Sequence, residues 1–164
     1  MASYRKLAVL VTNSVEETET AGIALGAILA RGDVVLLQGE LGAGKTAFSR
    51  GVARGLGVTD RVTSPTFVLV RSYHGTIDLV HADLYRIQEG SYFDLEMLEL
   101  VPGDAVTLIE WGDRAAGFYE ASCPLVVEFL PGPKADTRVI NFEGDDQTWA
   151  RRLSEAGLRS VELD

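Results

Sequence analysis

Apolar residues recur along this chain with two periods, and the exchange between them outlines a sheet packed against helices. Residues 7–11 (Leu-Ala-Val-Leu-Val) form a short run with strand character. Ser14 and Glu17 then have capping-box spacing, Ser14 accepting from helix N–H groups and Glu17 reaching back. Ala21, Leu25, Ile28 and Leu29 follow at the spacing of one buried helical face, which Arg31 and Gly32 close. Residues 33–38 read as a buried strand and residues 46–54 as an amphipathic helix ending near Gly55 to Gly57. The opening is β-α-β-α, the pattern of a parallel sheet covered by helices.

The middle of the chain breaks that pattern. Pro65 biases Ser64 away from helix, so residues 64–67 read as a turn or loop. Residues 67–73 and 76–81 are strand-like and flank His74-Gly75, which predicts an antiparallel hairpin. Residues 91–100 predict a short acidic helix with Ser91 as its cap, and residues 105–109 a central strand that delivers Glu110 to its end. A second hairpin joins residues 125–130 to 137–142 across Pro131-Gly132-Pro133, and Asp145 can cap a last helix carrying Trp149, Leu153 and Leu158. The expected class is α/β: a central mixed sheet with antiparallel hairpins and flanking helices. At 164 residues, with no internal repeat or long linker, a single domain over 1–164 is expected.

Composition changes this picture in two ways. A formal net charge of -9 disfavours extensive direct binding to nucleic acid, since an acidic surface repels a phosphate backbone. The lone cysteine, Cys123, excludes an internal disulfide and a multi-cysteine metal site, and reads as a small buried apolar residue in a reducing compartment. With no signal peptide and no apolar run of membrane-spanning length, the expected location is the cytoplasm.

The chemistry concentrates in Gly39-Glu40-Leu41-Gly42-Ala43-Gly44-Lys45-Thr46, a match to the phosphate-binding loop G-x-x-x-x-G-K-[ST]. It lies between a strand and a helix, the setting that motif needs. Glycines let backbone N–H groups close on phosphates, and the helix N-terminus adds unpaired donors and a dipole that favours anions. Lys45 supplies a point charge for the outer phosphates, and the Thr46 hydroxyl can ligate Mg²⁺. Such a loop also needs acid at the ends of neighbouring strands; Glu110 and Asp83 have that address, with Asp78 expected on another strand face. Trp111 at a strand end is placed for core or for nucleotide contact. His74 and His81 lack metal-ligand spacing and read as satisfied or solvent-facing histidines.

The phosphate loop, Ser64-Pro65-Thr66-Phe67, His81-Ala82-Asp83-Leu84-Tyr85-Arg86 and Ile109-Glu110-Trp111, in this order and spacing, resemble the TsaE (formerly YjeE) family over about residues 5–142. The resemblance implies a bacterial ATPase subunit required for threonylcarbamoyladenosine in tRNA. It implies ATP and Mg²⁺ as ligands and the TsaB and TsaD proteins as partners, with hydrolysis resetting their complex between turnovers. It also implies tRNA contact only through that complex, and neither membrane nor stable DNA binding. Carried over by position, Lys45 contacts phosphates, Thr46 and Glu110 hold Mg²⁺, and Asp83 orients the attacking water. Ser64, Pro65 and Thr66 form a switch, Trp111 lies near the nucleotide, and Val15 and Lys134 mark the adenine side. The helix over residues 145–158 carries no motif of the family.

Three rival readings use the same loop, one of them a non-catalytic binding module that merely senses nucleotide. A small-molecule kinase commonly adds an arginine-bearing helical lid, and the inserted segments here read as hairpins. A GTPase would need an N-K-x-D element after a strand, which this sequence lacks.

Overall fold

Seven strands form one mixed sheet in a computed structural model that describes residues 4–40, 42–63, 70–85, 103–115 and 117–160. In chain order they are β1 (Tyr4–Thr12), β2 (Val34–Gln38), β3 (Val70–Tyr73), β4 (Leu79–Asp83), β5 (Val106–Glu110), β6 (Leu125–Pro131) and β7 (Arg138–Asp145). Across the sheet they lie β1-β7-β6-β2-β5-β4-β3. Strands β6, β2, β5 and β4 are mutually parallel, and each flank is antiparallel: β3 on β4 at one side, β6-β7-β1 at the other. Both expected hairpins are therefore present. The predicted helix over 91–100, the strand residues 67–69 and the loop over 64–66 lie outside the described residues.

Helices α1 (Val15–Gly26), α2 (Lys45–Gly55) and α3 (Asp146–Glu155) all pack into the larger of two apolar clusters. There Leu25, Phe48, Val52 and Trp149 meet Val35 and Leu37 of β2, while Val34 and Leu36 face the smaller cluster with Ile109, Ala82 and Tyr119. Strand β2 is thus covered on both faces, which is why its sequence is a continuous apolar run. Helix α1 crosses α2 at very short range. A Cβ on Gly22 would stand 2.2 Å from the Phe48 carbonyl oxygen, and one on Gly51 2.0 Å from that of Glu19. Only glycine permits that approach, which ties the helix after the phosphate loop rigidly to its neighbour.

Three boundaries differ from those read in the sequence. Helix α1 stops at Gly26, because beyond Ala27 the amides of Ile28 and Leu29 turn back three residues, to the Leu25 and Gly26 carbonyls. Strand β4 begins at Leu79 and runs on to Asp83, while Asp78 sits in the preceding turn, where its carboxylate pairs with His74. Leu158 lies beyond α3: the chain reverses at Gly157 and the Leu158 amide returns to the Leu153 carbonyl, a helix-ending turn that still buries the leucine. Cys123, expected to be buried, is only partly so, and its carbonyl accepts from the Trp149 indole at 2.8 Å.

Candidate functional site

Parallel pairing brings the C-terminal ends of β2, β4 and β5 to one edge, with Glu110 flanked by Leu37 on one side and Asp83 on the other. The loop after β2 turns back over this edge and enters α2. Gly42 (φ 75°) and Gly44 (φ 106°) adopt left-handed backbone there, and Gly44 occupies the cap position of α2 with no side-chain hydrogen bond. The first turn of α2 contains no acid. Its N–H groups and dipole are left to whatever enters the cleft.

Lys45, Thr46, Asp83, Glu110 and Trp111 line one cleft of about 250 Å³. The Lys45 ammonium is buried and donates to the carbonyls of Gly39 and Glu40, the latter at 2.9 Å, beneath the Trp111 ring at 4.4 Å. Burial holds its pKa below the ordinary lysine value, and the nearby carboxylates of Glu110, Asp83, Glu40 and Asp113 offset only part of that effect. The Thr46 hydroxyl is 3.3 Å from Glu110 Oε1, and Glu110 Oε2 is 2.8 Å from His81 Nε2. Asp83 is buried and accepts from the Tyr85 amide at 2.9 Å. Trp111 itself takes left-handed backbone (φ 59°), turning the chain directly after β5 so that its ring meets Lys45 and, at 5.0 Å, Tyr85.

A second cleft of about 310 Å³ shares Val15, Gly42, Gly44 and Ala47 with the first and includes Asn13, Thr18, Asp136 and Arg138. Val15 is thus between the two, while Lys134 is exposed in the β6–β7 turn and lines neither. Leu41 and residues 64–66 lie outside the described residues. Two further participants were given no role from the sequence. Arg138 donates to the carbonyls of Ala43 at 3.1 Å and Gly42 at 3.2 Å, bracing the loop from the far hairpin. His81, expected to be satisfied or solvent-facing, is buried and only half satisfied: Nε2 meets Glu110 while Nδ1 has no partner among the described residues; the clue was its two-residue spacing from Asp83, which puts both on one face of β4.

Strand, glycine loop, open helix end and acids at adjacent strand tips define a P-loop NTPase-like fold. The solved structure of YdiB from Bacillus subtilis superposes with a TM-score of 0.71 at 30% identity, covering 96% of each chain. The family model "Threonylcarbamoyl adenosine biosynthesis protein TsaE" matches residues 12–140, and the chain belongs to that family, which serves tRNA threonylcarbamoyladenosine biosynthesis. Similar proteins bearing that family's name include those of Treponema pallidum (46% identical over 65% of this chain and 79% of the relative) and Bacillus subtilis (39% over 80% and 76%). The Streptomyces coelicolor protein is 40% identical over 79% of this chain and 91% of its own. Among the described residues no helix is long and apolar enough to cross a membrane.

Proposed function

We propose that this protein is a cytoplasmic ATP-binding and ATP-hydrolysing subunit that acts on a TsaB–TsaD threonylcarbamoyltransferase complex and resets it between turnovers. The observation that carries the reading is the convergence of Lys45, Thr46, Asp83 and Glu110 on the open end of α2. These groups suit a triphosphate with Mg²⁺. Left-handed glycines line the cradle, a partly desolvated ammonium is held by weakly competing carbonyls, and a hydroxyl and a carboxylate converge as hard oxygen donors. Among the described residues no group of three or more His, Cys, Asp or Glu side chains is placed to hold a metal ion by itself. Magnesium shared with phosphates is commonly held by one or two protein carboxylates, with phosphate oxygens and waters completing its shell.

In this reading Lys45 exchanges the Gly39 and Glu40 carbonyls for phosphate oxygens, and the α2 amides complete the cradle. Thr46 and Glu110 hold Mg²⁺, which neutralises phosphate charge when bound. Asp83, at the adjacent strand tip, accepts a hydrogen bond from the attacking water and orients it. Residues 64–66 serve as the switch that relays the state of the site, and Val15, with Asp136 and Arg138 rather than Lys134, flanks the base. With a net charge of -9 the subunit meets tRNA through its partners rather than by itself.

The test is phosphate release from ATP by the chain mixed with TsaB and TsaD. Asp83→Ala should keep nucleotide affinity and lose about 100-fold in turnover, the scale of removing a positioned base. Turnover at the unmodified rate would remove Asp83 from the mechanism. Transfer of the phosphoryl group to a metabolite instead of water would favour the small-molecule kinase.

A further inference from the structure

Glu110 approaches Thr46 with one carboxylate oxygen while its other oxygen is engaged by His81. The His81 side chain is 0% exposed, and that of Glu110, 3% exposed, reaches the cleft only at its tip. A carboxylate only accepts hydrogen bonds, so the ring donates from Nε2. Its Nδ1 has no hydrogen-bond partner among the described residues, which makes Glu110 the polar anchor of the imidazole. The register explains the contact. His81 lies opposite Leu108 and Asp83 opposite Glu110, so the ring stands one pleat behind the carboxylate.

We propose that His81 is a positioning residue that makes Glu110 a one-oxygen ligand and thereby tunes the site toward small octahedral cations such as Mg²⁺ over Ca²⁺. By holding Oε2, it leaves Oε1, beside the Thr46 hydroxyl, as the oxygen offered to the cleft. Magnesium demands near-octahedral geometry with short bonds of about 2.0–2.1 Å, whereas calcium accepts about 6–8 oxygens and readily takes a carboxylate by both. A tethered carboxylate satisfies the first and frustrates the second. The inference rests on the reading of the cleft as a site for a nucleotide with its cation.

Two amide replacements separate this role from simple core filling. In His81→Gln the side-chain nitrogen falls where Nε2 was and can still donate to Glu110; in His81→Asn it falls where Nδ1 was and cannot. Binding of a fluorescent N-methylanthraniloyl-ADP to the full chain is followed by anisotropy in EDTA, in Mg²⁺ and in Ca²⁺. His81→Gln should keep the Mg²⁺ response and the preference over Ca²⁺. His81→Asn should need about 10-fold or more Mg²⁺ for the same response, with that preference narrowed, the usual scale for losing a group that orients a metal ligand. Affinity in EDTA should be equal for all three proteins.

Equal Mg²⁺ responses from the Asn variant and the unmodified chain would overturn the proposal, as would equal losses in both variants. If His81→Asn does not fold, His81→Gln decides alone: a kept preference supports the tether and a lost one refutes it. An unmodified chain that binds nucleotide without any response to Mg²⁺ would overturn the cation reading beneath, and the His81 proposal with it.

Discussion

Helices α1 and α2 lie side by side on one sheet face, yet their N-termini are finished in opposite ways. At α1, Ser14 accepts from the Glu17 amide at 3.1 Å, the Glu17 carboxylate takes the Asn13 amide, and two acids occupy the first turn. Helix α3 is closed in the same manner, with Asp145 accepting from the amide and hydroxyl of Thr148 at 3.0 and 2.8 Å. Helix α2 starts on a left-handed glycine, with no side-chain cap and a lysine first. Glycine in place of a capping side chain costs only roughly a few tenths of a kcal/mol. What it preserves is a set of unpaired donors and a dipole aimed into the cleft, which is the chemistry an anion needs. The two ends away from the acids are closed by their own side chains, and the end that faces the acids is not.

The contrast can be broken most severely at Lys45. Lys45→Ala removes the charge at the open end and should cut affinity for a nucleotide triphosphate by about 100-fold or more, equivalent to about 3 kcal/mol, measured by calorimetric titration. Next in size is the glycine contact that fixes α2 on α1. Gly51→Ala forces a methyl into the Glu19 carbonyl and should lower unfolding free energy by about 3 kcal/mol in urea, the cost of overpacking a contact that cannot relax. Asp145→Ala opens a closed helix end far from the cleft. It should cost about 1 kcal/mol in stability and leave nucleotide affinity unchanged. An equal loss of affinity would mean that the ends are not functionally distinct.

The smallest effect is a pH dependence. Burial depresses the Lys45 pKa in the free protein, and bound phosphate would raise it again. Binding that raises a pKa takes up protons, so affinity is complete below the free value and falls as pH rises above it. The decline in a pH series of binding constants should therefore begin below the ordinary lysine value of 10.5. A flat profile up to that pH would place Lys45 away from the ligand.

The parts of the fold that depend on local signals were legible in the sequence. Ser14 and Asp145 announced their helices, and His74-Gly75 and Pro131-Gly132-Pro133 announced the hairpins. The apolar run into Glu110 announced a central strand with an acid at its tip. Of the site, the loop and the strand ends of Asp83 and Glu110 could be read, because motif and strand direction suffice for both. Arg138 could not: it reaches Ala43 across 95 positions, through a sheet order that no local pattern encodes. The partnership of His81 with Glu110 needed the β4–β5 register, and the turn of Trp111 over Lys45 needed a left-handed backbone that tryptophan rarely adopts.

The most direct measurement is a crystal structure grown with Mg²⁺ and a non-hydrolysable ATP analogue. The expected result is phosphate oxygens at the open end of α2, Lys45 Nζ moved from the Gly39 and Glu40 carbonyls onto them, and a cation between Thr46 and Glu110. Phosphates bound elsewhere, or a Lys45 still on those carbonyls beside bound nucleotide, would contradict it.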